Sequence, residues 1–148
     1  MMEQSFGTLK SLLVVSILFS ALHMANEGAN VMVFISATLI SILWCGVYVV
    51  SRNIWVAGLH HAAWNLAVFS SGIPISGMVD WTKHAPLESN YHGPVWLTGG
   101  SFGPEGSVIT VIIGATSLFV LLRWAWRNDR FIEEPIRKDS SGMGVTTT

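Results

Sequence analysis

Residues 31–50 read VMVFISATLISILWCGVYVV, and this stretch decides the fold. It holds no charged side chain and no proline. At about 1.5 Å of rise per residue, roughly 20 such residues span a hydrocarbon core about 30 Å thick. Three further apolar stretches lie around it. Residues 9–26 carry no charge between Ser11 and Leu22. Residues 54–71 have His60 and His61 as their only ionisable groups. Residues 107–126 hold Arg123 in the last turn, where a long side chain can snorkel to water beside Trp124 and Trp126. The sequence therefore predicts an all-α, polytopic membrane helix bundle of about four transmembrane helices, with a membrane domain over residues 9–126.

Composition agrees with that prediction. The chain has 148 residues, 51% hydrophobic and 11% charged, with a mean hydropathy of +0.51. Soluble domains carry about 25% charged residues, and a short chain needs an even larger polar skin. The net charge of −1 argues against a nucleic-acid partner, which would call for a basic stripe. The single Cys45 excludes an intrachain disulfide framework and a cysteine-based zinc site. The lipid bilayer is the expected surrounding, and His23 and Asn26 at the end of the first stretch argue against a cleaved signal peptide.

Four spans would put both termini on one side. Lys10, Arg52, Arg123, Arg127, Arg130, Arg137 and Lys138 would share it, with only Lys83 opposite. The positive-inside rule makes that side cytoplasmic, in a multi-pass cell-membrane protein. Residues 72–106 hold seven of the 14 glycines and four of the five prolines, so a turn-rich loop is expected there, facing outward. Residues 127–148 read as a mobile cytoplasmic tail.

Ionisable groups inside spans are costly, so each is a functional candidate. The candidates are His23 on the first span and His61 with Asn65 on the third. His61 and Asn65 are four residues apart and share one helical face, as do Phe19 and His23. Imidazole can bind a metal, act as a base or donate a hydrogen bond. An asparagine amide can donate to an oxyanion. His60 points about 100° away from His61 and is read as a bystander. Phe19, Trp44, Trp55 and Trp64 are read as packing or interfacial residues, Cys45 as an apolar filler, and Glu27, His84 and His92 as solvated. Counted from the cytoplasmic ends of their helices, His23 and His61 would differ in depth by roughly 10 Å.

These residues in their local context resemble a known family, the CAAX protease and bacteriocin-processing group of intramembrane metalloproteases. Its F-x-x-x-H motif reads Phe19-Ser-Ala-Leu-His23 here, and its H-x-x-x-N motif reads His61-Ala-Ala-Trp-Asn65. The runs GIPISG at 72–77 and LTGGSFGPEGS at 97–107 also look like stretches of bacterial members. The resemblance spans roughly residues 9–122. It implies a type II CAAX prenyl endopeptidase activity on a peptide or prenylated-protein substrate. His23 and His61 would bind a divalent metal such as zinc or position a water, and Asn65 would steady the oxyanion. The family's E-E-x-x-x-R motif does not precede His23, and the one adjacent pair, Glu133-Glu134, lies in the tail. The resemblance thus implies an incomplete or inactive chain, or one whose glutamate comes from a partner chain or a missing N-terminal segment.

Two rivals belong to other classes. One is a non-catalytic membrane scaffold or bacteriocin-immunity-type protein on the same fold. The other is a haem-binding subunit with histidines from two spans as axial ligands, which a Soret band would reveal. A small transporter is disfavoured, because four spans leave little room for paired repeats.

Overall fold

A computed structural model describes residues 2–90 and 92–133. Among these residues every regular element is helical. Four long helices form the bundle: α1 (Met2–His23), α2 (Val31–Ser51), α3 (Ile54–Ser70) and, after a loop containing the one-turn α4 (Val95–Thr98), α5 (Val108–Arg127). Three of them, α1, α2 and α5, are long and apolar enough to cross a membrane. The fourth long helix, α3, has 17 residues and reaches about 25 Å, at the short end of the length that crosses a membrane. It also carries His60, His61 and Asn65, which lower its apolar character.

Helix α2 is the centre of the bundle and packs on α1, α3 and α5. The contacts use small residues, which let backbones approach when lipid supplies no hydrophobic drive between helices. Ser11, Ser16 and Ser20 of α1 and Ser36, Ala37 and Ser41 of α2 are buried. Thr38 donates to the Ser20 hydroxyl at 2.9 Å across the α1–α2 seam. Gly46 gives Leu118 and Leu121 of α5 room to pack on α2. Leu12, Val49 and Ala125 join α1, α2 and α5 in one apolar cluster.

Caps fix where the helices begin. Asn30 accepts from the Val33 N–H at 3.1 Å, Asn53 from the Trp55 N–H at 2.9 Å and Ser107 from the Thr110 N–H at 3.2 Å. Arg52 ends α2 in the left-handed region (φ 53°), so α3 turns back after only two residues. Gly7 breaks α1 near its start (φ 76°, ψ 167°). Just past that break, the Thr8 N–H donates to the Ile132 carbonyl at 2.9 Å, and the Ile132 N–H donates to the Thr8 hydroxyl at 2.8 Å. The tail expected to be mobile from residue 127 is therefore bonded to α1 as far as Ile132. Its remaining part, residues 134–148, lies outside the described residues.

The segment between α3 and α5 is turn-rich, as its glycines and prolines predict. Among its described residues it contains α4 and short 3-10 turns at Val79–His84, Gly100–Phe102 and Pro104–Gly106. It is nevertheless packed onto the bundle. Ile75 and Phe102 are buried, and the Gly77 N–H donates to the Phe102 carbonyl at 3.0 Å. Asn26, just after α1, donates from its amide to the Ser76 carbonyl at 2.7 Å. Gly103 allows the closest approach: it sits at φ 92°, and a Cβ there would overlap the Pro74 carbonyl oxygen.

Candidate active site

Two histidines and two aromatic rings meet where α1, α2 and α3 face one another. The His23 ring packs on Phe19 with centroids 4.2 Å apart. The His61 ring stands edge-on to Phe19 at 6.0 Å and stacks on Trp44 at 3.7 Å. His23 and His61 line the same small cavity, so the two rings share one place despite the depth difference expected from residue counting.

The hydrogen bonds set the ring nitrogens. His23 Nδ1 lies 2.7 Å from the Phe19 carbonyl oxygen, which can only accept, so Nδ1 carries the proton. Nε2 of the neutral ring is then left as an acceptor. Asn65 Nδ2 donates to His61 Nε2 at 3.2 Å, which leaves the proton of a neutral His61 on Nδ1. The Asn65 Oδ1 is buried without a hydrogen-bond partner. One amide N–H of Asn65 therefore orients His61, and the second is available for another acceptor.

Two tryptophans do more than the packing expected of them. The Trp44 Nε1–H donates to His60 Nδ1 at 3.1 Å while its ring face covers His61. His60 is exposed and lies outside the small cavity. The Trp64 Nε1–H donates to Glu105 Oε1 at 2.8 Å, and the Ser76 hydroxyl donates to Glu105 Oε2 at 2.5 Å. Glu105 is only 5% exposed and lines the cavity with His23 and His61. The sequence reading did not single it out. The available signal was an acidic residue between Gly103-Pro104 and Gly106, immediately before an apolar helix.

The cavity holds about 10 Å³, close to the room one water needs. Phe19, Trp44 and His61 line both this cavity and a larger groove of about 470 Å³ between α1, α2 and α3. Ala57 and Gly58 keep the α3 wall of that groove shallow. At its far end Arg52 pairs with Glu3 at 2.8 Å.

A metal ion does not fit the described residues. They contain no group of three His, Cys, Asp or Glu side chains placed to hold one. A catalytic zinc takes three protein ligands.

The family model for type II CAAX prenyl endopeptidase Rce1-like proteins matches residues 1–67. Over those residues the chain is similar to type II CAAX prenyl endopeptidase Rce1-like proteins. The matched segment contains Phe19–His23 and His61–Asn65. It stops before the loop that carries Glu105. No curated protein and no solved structure matches the chain.

Proposed function

We propose that the chain hydrolyses peptide bonds within the membrane in the manner of CAAX-processing endopeptidases, acting on a prenylated peptide or protein. Its turnover by itself is low, because residues 1–148 contain no E-E-x-x-x-R motif. The observation that carries this reading is the convergence of His23 and His61 on one small cavity that shares Phe19, Trp44 and His61 with a large groove. A groove of about 470 Å³ lies within the usual range for ligand pockets. It would bring a peptide carbonyl to His61, and water exclusion there would strengthen every dipole aimed at the developing oxyanion. His23 Nε2 and His61 Nδ1 would hold the attacking water, and the second amide N–H of Asn65 would meet the oxyanion. The divalent ion that the resemblance implies takes no part in this step, given the ligand set.

Cleavage of a prenylated peptide by the purified chain in lipid vesicles, beside the His61→Ala variant, tests the reading. Slow cleavage that the variant loses supports it. Cleavage equal in both chains contradicts it, and rapid turnover by the unmodified chain contradicts the low-activity part.

A second reading, a non-catalytic scaffold on the same fold, has its own support. His23 is tied to a carbonyl of its own helix and His61 is stacked on Trp44, as structural histidines are. Under that reading His61→Ala leaves the cellular phenotype unchanged.

A further inference from the structure

We infer that Glu105 is the carboxylate of this site: with His23 and His61 it holds a single buried water and takes that water's proton when it attacks. This rests on the hydrolase reading above. Three observations carry it. Glu105 lines the cavity from the loop side, while the histidines line it from α1 and α3. The volume of about 10 Å³ matches one water, and the cavity shares Phe19, Trp44 and His61 with the groove that would hold the peptide. Its polar walls are His23, His61, Ser76 and Glu105, enough partners to hold a water.

The loop is built to hold this carboxylate in place. Trp64 of α3 fixes one oxygen and Ser76 the other. Asn26 anchors the Ser76 backbone to the end of α1, three residues beyond His23. Thr110 of α5 donates to the Pro104 carbonyl at 2.6 Å and fixes the turn just before Glu105. Each carboxylate oxygen has a second lone-pair site beyond these bonds, and those sites are what a water would meet.

The step balances as follows. Glu105 takes one proton from the water as the water's oxygen bonds to the peptide carbonyl carbon. That proton passes to the peptide nitrogen as the C–N bond breaks. The products are an amine and a carboxylic acid carrying the water's oxygen and second proton. General base catalysis of this kind contributes about 100- to 10,000-fold.

Two readouts test it. Water-edited solid-state NMR of histidine-labelled chain in lipid bilayers detects magnetisation passing from a bound water to the imidazoles. Transfer to both His23 and His61 is expected, and it should disappear in Glu105→Leu, which replaces a polar wall with an apolar one. Glu105→Gln can keep both the Trp64 and Ser76 bonds, so it should retain the fold and the water signal while peptide cleavage falls at least about 100-fold. Absence of the water signal in the unmodified chain, or its persistence in a folded Glu105→Leu, overturns the inference. So does cleavage by Glu105→Gln equal to that of the unmodified chain when His61→Ala abolishes it. If the water signal behaves as expected but cleavage never depends on His61, the hydrolase reading fails and the water site stands.

Discussion

Replacing Trp64 with Phe removes a single donor, the indole N–H that meets Glu105 Oε1 at 2.8 Å. Glu105 is only 5% exposed, so bulk water does not readily replace that donor. A hydrogen bond to a charged group contributes about 1.5–3 kcal/mol, so Trp64→Phe should destabilise the chain by about 2 kcal/mol. In a Glu105→Gln background the same bond ends on a neutral acceptor, which contributes about 1 kcal/mol. The two substitutions should therefore couple by about 1 kcal/mol in a double-mutant cycle. Far-UV circular dichroism of the four chains, titrated from mild detergent into denaturing detergent, measures the cycle without depending on tryptophan fluorescence. A coupling energy indistinguishable from zero would refute the bond and, with it, the argument that α3 positions the loop carboxylate.

Other parts of the structure make separate predictions. Gly103→Ala should lower stability by about 1–3 kcal/mol, because it strains a residue at φ 92° and drives a Cβ into the Pro74 carbonyl; an unchanged thermal midpoint contradicts this. Thr8→Val removes the acceptor of the Ile132 N–H and should speed amide hydrogen exchange at Ile132 by about tenfold, whereas unchanged exchange would show that the tail is not tied there. Lys83 holds the Asp80 carboxyl below its ordinary range, first by a hydrogen bond and then by its charge, and Asp80 raises Lys83 in return. The Asp80 contribution is present above the ordinary carboxylate range and lost as pH falls through the lowered value, while the Lys83 contribution is lost as pH rises through its raised one. Both side chains are exposed, so Asp80→Asn should leave the thermal midpoint at neutral pH within about 1 °C.

The helices were legible because charge is excluded from spans. The span expected over about residues 29–51 is observed as Val31–Ser51, and the caps Asn53 and Ser107 lie at the starts expected for α3 and α5. The apolar run of α3 only just reaches spanning length, and the helix is the shortest of the four at 17 residues. The pairing of His61 with Asn65 follows from a spacing of four on one helix. The meeting of His23 with His61 does not, because helix stagger depends on packing between residues far apart in sequence. Glu105 was hidden for the same reason. Its partners Trp64 and Ser76 lie 41 and 29 residues away, and glycine-rich turns leave no periodic pattern to place it. Trp44 and Trp64 read as packing residues because their ring faces do pack, while their N–H bonds depend on neighbours from other elements.

The account turns on His23 and His61 facing each other's surroundings across Phe19 rather than facing lipid. Magic-angle-spinning NMR of chain labelled at Phe and His, in deuterated-acyl and protonated-acyl bilayers, observes this directly. The predicted result is cross-peaks from the Phe19 ring to both imidazoles, consistent with centroid separations of 4.2 and 6.0 Å, and no transfer from acyl chains to His61. Cross-peaks from His61 to acyl chains, with none to Phe19, would contradict it.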